Sequence, residues 1–237
     1  MIPLFNTVFL GGVLFCLGCT LKIYLVYRKS KSEILVSLLK VFIFSTFAYT
    51  ALSLPNLTLF NPFWIQVDFI FSNIFFYLTH IYMWLIILGY TNQIRFRKIL
   101  LFIGFSWIIM NVLLNIFLFN PAIPLITNNI VYYWQKGTPL LFQFIENGIT
   151  ILMGFTLAGF YFNAMKSFKE KMVRMRLLFF GIGLIFASVG GFIFYFFPYS
   201  FNLLALSGFL GFFEWLFIFL GVFYFVPSPE RFVKKID

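Results

Sequence analysis

The sequence predicts an all-α membrane protein: a single bundle of seven transmembrane helices, N-terminus outside and C-terminus cytosolic. Three observations carry that expectation. Of 237 residues, 62% are hydrophobic and only 10% are charged. A soluble domain is typically about a quarter charged, so these charges are too few to coat a water-facing shell, and lipid must solvate much of the surface. The apolar residues fall into long runs, each of roughly the 20 residues that a helix needs to cross the hydrocarbon. The lysines and arginines then collect at one set of ends of those runs, as basic residues do on the cytosolic side.

The first run extends from Pro3 to Val26, and the second from Ile34 to Ser53, stopped by Pro55. The third covers Trp64 to Tyr90, the fourth Ile99 to Leu118, and the fifth Thr138 to Met165. The sixth covers Leu177 to Phe197, stopped by Pro198, and the seventh Phe201 to Phe225, stopped by Pro227. β-Barrel strands would be half as long and alternate in polarity; these runs do neither. Nothing of linker composition separates them. Residues 1–226 therefore read as one transmembrane domain, and 227–237 as a basic cytosolic tail. The first run has no basic segment before it and reads as a retained anchor rather than a cleaved signal.

Orientation follows from the basic residues. The first inner loop and its flanks hold Lys22, Arg28, Lys29, Lys31 and Lys40; the second holds Arg95, Arg97 and Lys98. The third holds Lys166, Lys169, Lys171, Arg174 and Arg176, and the tail holds Arg231, Lys234 and Lys235. Only Lys136 falls on the other face. This placement accounts for the net charge of +10 through contact with anionic headgroups, so no nucleic-acid partner is expected. The outer loops are Leu54–Phe63, Phe119–Gly137 and the turn at Pro198-Tyr199-Ser200. Tyr132, Tyr133 and Trp134 in the longest of them read as interfacial anchors, with a lid or ligand contact as the alternative. Asn56-Leu57-Thr58 is a glycosylation sequon on the outer side, relevant only in a eukaryotic host. In such a host Lys234-Lys235 would also match a dilysine retrieval signal.

Chemistry is sparse. Cys16 and Cys19 share one face of the first helix and read as packing residues. With one histidine, His80, no zinc site can be completed. No metal, cofactor or catalytic group is expected. A retinal pigment needs a lysine in the seventh span, which has none; a two-aspartate protease needs a second membrane aspartate; and no G-x-S-x-G turn is present. With 39 phenylalanines in the chain, any one of them reads as lipid-facing or packing.

Ionisable residues inside a membrane cost ~2.5–3.5 kcal/mol on insertion scales, so they face the interior and are candidates for function. Asp68 is about one turn into the third span. Glu146 belongs to a polar face with Gln143, Asn147, Thr150 and Gly154 in the fifth. Glu214 lies mid-depth in the seventh, and His80 shares its face with Asn73, Tyr77 and Trp84 in the third. The second span adds Thr46, Tyr49, Thr50 and Ser53, and the fourth Asn111 and Asn115. These residues concentrate toward the outer half. The expected ligand-binding set is Glu146, Asn147, Gln143, Glu214, His80, Asn73 and Asp68, around a cavity that opens outward. With no lysine or arginine in that interior, at least one of the two glutamates is expected to be protonated at neutral pH. In the sixth span Gly183, Ala187 and Gly191 form a small-xxx-small stripe, expected to seat a neighbouring helix.

The stretch Arg174-Met175-Arg176-Leu177-Leu178-Phe179-Phe180-Gly181, then Gly190-Gly191, then Gly208 and Gly211 before Phe223-Tyr224-Phe225, resembles the last two helices of a known family region. That region is the seven-transmembrane N-terminal sensor part of bacterial and archaeal histidine kinases. Leu88-Gly89-Tyr90-Thr91 followed by Arg95 to Lys98 is similar too. The resemblance implies sensing of a ligand or of the membrane, passed to a cytosolic signalling partner. It carries over no binding residues, and the sequence holds no phospho-acceptor histidine or ATP site, which leaves the output open. The expected function is a multi-pass sensor or receptor in the cell membrane, binding a small molecule or lipid. A small proton-coupled transporter is the alternative, weakened by the lack of an internal repeat or a broken helix.

Overall fold

The computed structural model describes residues 4–54, 61–91, 93–127, 130–197 and 200–225. Seven helices in it are long and apolar enough to cross a membrane, consistent with an all-α membrane protein. They are α1 (Leu4–Ser30), α2 (Glu33–Ser53), α3 (Pro62–Tyr90), α4 (Arg97–Phe117), α5 (Leu140–Ser167), α6 (Lys171–Phe196) and α7 (Phe201–Phe225). A turn of 3-10 helix at Ile94–Phe96 leads into α4. The sequon, Asn128 and Asn129, Pro198-Tyr199 and the tail with Lys234-Lys235 lie outside the described residues.

The surface is inverted relative to a water-soluble protein. Phe117 is 80% exposed, Phe102 74% and Leu14 72%, while Asn111, Asn115, Gln143, Glu146 and Asn147 are buried. Only an apolar solvent makes that arrangement favourable, because unpaired polar groups cost most in hydrocarbon.

Local chemistry sets the helix ends. Pro62 occupies the first turn of α3, where its missing N–H costs nothing, and the Asn61 side chain accepts from Phe63 N at 3.0 Å. α1 closes on Lys31, which takes the left-handed conformation (φ 50°) as its N–H bonds Tyr27 O at 2.8 Å. α6 begins at Lys171 rather than Leu177. At 26 residues it spans about 39 Å, longer than the ~30 Å hydrocarbon, so its charged first turns continue the helix beyond the apolar layer.

Helices α1, α2, α3, α5, α6 and α7 form a ring in which each touches the next, α3 meeting α5 and α7 meeting α1; α4 packs outside it on α3. The main apolar core joins Cys19, Ile23, Leu35 and Leu38 to Ile86, Leu157, Tyr161, Leu177 and Val222 in the half of the ring nearer the basic connections. Two basic residues read as loop charges are held by protein instead. Arg176 is buried and donates to the Tyr90 hydroxyl at 3.1 Å. Lys40 lies 4.9 Å from the centre of the Tyr82 ring.

The expected stripe in α6 needs correction. A side chain on Gly183 would meet Ile218 and the Glu214 carbonyl, and one on Gly190 would meet Leu210 and Ser207 O. Ser207 also donates to Gly190 O at 2.8 Å. Gly183 and Gly190, seven residues and two turns apart, therefore seat α7. A side chain on Gly191 would instead meet Ile151 of α5 at ordinary contact distance, and Ala187 and Gly191 both line a cavity.

The segment between α4 and α5 contains an antiparallel hairpin, β1 (Ile123–Thr127) and β2 (Ile130–Gln135), with an irregularity between Leu125 and Ile126. It was expected as loop. Leu125 packs with Leu204 of α7 and with Phe194 of α6. Ala122 and Trp134 cluster with Ile65 and Phe69 of α3, with Leu52 of α2 against them. β2 also lies against α1. The hairpin thus crosses the end of the ring where an outward mouth was expected, touching residues on opposite walls.

Candidate functional site

Inside the ring, toward the hairpin end, is a cavity of about 220 Å³. That is room for about seven waters, or a ligand of about ten non-hydrogen atoms. Its walls come from all six ring helices, and Leu52 and Phe194, which contact the hairpin clusters, stand at its rim. Glu146, Asn147, Glu214, His80 and Asn73 all line it. The helical spacing on α3 and α5 forces this: turning those faces outward would bury amides and carboxyls in lipid. Gln143 and Asp68 do not line it. Gln143 Nε2 donates to Lys136 O at 2.9 Å and to Thr138 O at 2.6 Å. Asp68 is half-buried, with Oδ2 unpartnered among the described residues.

Glu146 is the best-satisfied group. Lys136 Nζ donates to its Oε2 at 2.9 Å, with both side chains buried. Its Oε1 accepts from Asn111 Nδ2 at 2.9 Å and from Asn73 Nδ2. Asn115 Nδ2 in turn bonds Asn111 O at 2.9 Å and Asn111 Oδ1 at 3.1 Å, which aims the Asn111 amide at Glu146. The expectation of an interior without a basic partner is therefore wrong. Lys136, read as the one stray charge on the outer face, turns inward from the base of the hairpin. Gly137 N donates to Gln66 Oε1 at 2.9 Å, and Ala122 N to Pro62 O at 2.9 Å, so the hairpin base is fixed to α3 and α5 on both sides.

Glu214 is placed differently. It lines the cavity beside Tyr49 and Trp215, whose Nε1 donates to the Tyr49 hydroxyl at 3.1 Å. No cation lies against Glu214 among the described residues. His80 Nδ1 is 2.8 Å from Phe76 O; a carbonyl can only accept, so Nδ1 carries the hydrogen, and in the neutral form of the ring Nε2 is then the acceptor. Glu214 and His80 are half-buried, and both line the cavity.

Aromatic rings make up much of the remaining wall. Tyr49 stands edge-on to Trp215 and to Phe76, both at 5.6 Å between centroids. Phe15 stacks on Trp215 at 6.4 Å, and Phe9 on Tyr49 at 6.2 Å. Ser45 donates to Thr79 Oγ1, which itself bonds Phe75 O at 2.9 Å, so those hydroxyls serve the α2–α3 contact. Cys16 lines the cavity, and Cys16 and Cys19 are both buried free thiols. Among the described residues no group of side chains could hold a metal ion.

No protein-family model, curated protein or solved structure matches this chain.

Proposed function

We propose that the chain is a multi-pass sensor of the cell membrane. It binds a small molecule in the cavity under the hairpin and passes the bound state to a cytosolic partner. The orientation in this reading is N-terminus outside, with the basic connections in the cytosol, where anionic headgroups attract them. The observation that carries the reading is the cavity itself. Its surface is largely apolar, and polar groups from separate helices, among them His80, Glu146 and Glu214, converge on it, as is usual for small-molecule sites. A ligand there would bridge α2, α3, α5 and α7.

Two of the cavity helices also meet at the basic end. α3 carries both His80 and Tyr90, and α6 carries both Ala187 and Arg176. A ligand that changed the angle between α3 and α6 would be read at the Tyr90–Arg176 contact, where a cytosolic partner could respond. All seven helices run without a break, which favours sensing over a transporter built on broken helices.

The test is thermal unfolding of the full chain in detergent micelles with a panel of small amphiphiles of about ten non-hydrogen atoms or fewer. At least one head group should raise the midpoint of the wild type. Ala187→Phe, which fills the cavity, should abolish that rise. A panel that shifts neither protein, or both equally, removes the binding role.

A further inference from the structure

We infer that the ligand class of this cavity is a small organic ammonium ion carrying at least one N–H, held by Glu214 and His80 within the Tyr49–Trp215–Phe76 rings. The inference rests on the cavity-binding reading above and narrows its chemistry.

The argument begins with the two carboxyl groups that share the cavity. Glu146 is already served by an ammonium and two amides. Those three donors leave it little capacity for a ligand. Glu214 lines the same cavity with no side-chain ion pair among the described residues. A carboxylate can accept about four hydrogen bonds, so Glu214 retains unused acceptor capacity facing a low-dielectric space. The protein has solved the same problem at Glu146 by turning Lys136 inward. At Glu214 the missing cation would come from outside.

The second polar group points the same way. With Nδ1 committed to Phe76 O, His80 offers the cavity an acceptor, Nε2. Two separate walls thus present acceptors, which a hydrogen-bond donor satisfies and a carbonyl or carboxylate ligand does not. Asn147 has both donor and acceptor atoms and opposes neither. A carboxylate ligand would meet Glu214 as a like charge in low dielectric.

The rings supply the third requirement. Trp and Tyr faces attract cations placed within about 6 Å of their centroids. Tyr49, Trp215 and Phe76 form one contiguous cluster beside the carboxyl. The same rings cover the apolar body of such a ligand. At about 220 Å³ the space admits a primary amine with a single ring or a short branched chain, and is too small to contain a two-chain lipid.

The experiment measures equilibrium binding of 2-phenylethylammonium to the full chain in lipid nanodiscs, beside its neutral analogue 2-phenylethanol. The wild type should bind the ammonium at least about tenfold more tightly than the alcohol, the minimum expected for a buried charge pair. Glu214→Gln should remove that preference, and Ala187→Phe should abolish binding of both. If Glu214→Gln does not fold, the ammonium-to-alcohol ratio in the wild type still decides. Equal binding of the two, blocked by Ala187→Phe, overturns the ammonium class and leaves the cavity reading standing. Ammonium binding that survives Ala187→Phe places the site elsewhere and overturns the proposal. No binding of either molecule overturns the proposal and counts against the cavity reading as well.

Discussion

Replacing Lys136 with methionine removes the ammonium that faces Glu146 and keeps a side chain of similar length. At 2.9 Å the gross attraction of the pair is about 6 kcal/mol at an effective dielectric of about 20. Desolvation of both groups offsets much of it. The single substitution does not return that desolvation, because Glu146 stays buried with only Asn73 and Asn111 as donors. Lys136→Met should therefore cost about 3–5 kcal/mol. Glu146→Gln should cost less, about 1–3 kcal/mol. Lys136 lies at the base of the hairpin, so its ammonium can turn back toward the interface once unpaired. The double variant leaves no stranded charge and should recover at least about 2 kcal/mol relative to the sum of the singles. Reversible unfolding of the full chain in mixed micelles, followed by tryptophan fluorescence, gives all four free energies. The coupling should change little between low and high salt, since a buried pair is poorly screened. Additive single losses, or a Lys136→Met protein as stable as wild type, would refute the account of the hairpin as locked to α5 by charge.

Two further outcomes are expected. Gly183→Leu should lose about 1–3 kcal/mol by overpacking, because even its Cβ would stand 2.8 Å from Ile218; Ala187→Leu extends into the cavity and should stay within about 1 kcal/mol of wild type. Unfolding midpoints that place Ala187→Leu below Gly183→Leu would restore the stripe first read from the sequence. For orientation, an impermeant maleimide applied to intact cells should label Asn120→Cys and spare Lys169→Cys, both exposed positions, against a low background from the buried Cys16 and Cys19. The reverse pattern would turn the protein over in the membrane.

Apolar run length was enough to locate all seven helices, because a membrane span must satisfy its backbone internally and so needs a long unbroken run. The reading failed where hydrophobicity stops being the signal. α6 begins six residues before Leu177 since Lys171, Arg174 and Arg176 need only water or a partner, not lipid, to remain helical. The hairpin was missed although Ile123-Pro124-Leu125-Ile126-Thr127 and Ile130-Val131-Tyr132-Tyr133-Trp134-Gln135 are rich in β-branched and aromatic residues around Asn128-Asn129, a strand–turn–strand composition. Its tyrosines and tryptophan had been assigned to the interface on composition alone. Spacing on α6 was read at intervals of four, while the close contact uses Gly183 and Gly190. A helix face is about 100° wide, so a stripe of small residues does not say which of two neighbouring surfaces they serve.

The candidate site was legible one helix at a time. Cost of burial placed Glu146, Asn147, Glu214, His80 and Asn73 inward, and they do line one cavity. What spacing could not supply was the pairing between helices, and it is pairing that makes the two glutamates different. The signal for it was present as an exception: Lys136 was the single basic residue that broke the charge asymmetry, ten positions before the Glu146 of an inward face. A lysine on the wrong side of such a distribution either reaches headgroups or neutralises a carboxyl, and a two-sided hairpin base anchored at Gln66 and Gln143 decides for the carboxyl. Once Lys136 is spent on Glu146, the charge balance of the cavity falls to Glu214 alone. A sequence that supplied a cation to one buried glutamate and withheld it from another, on a helix with no lysine or arginine of its own, has left an acceptor whose natural complement is a cation from outside.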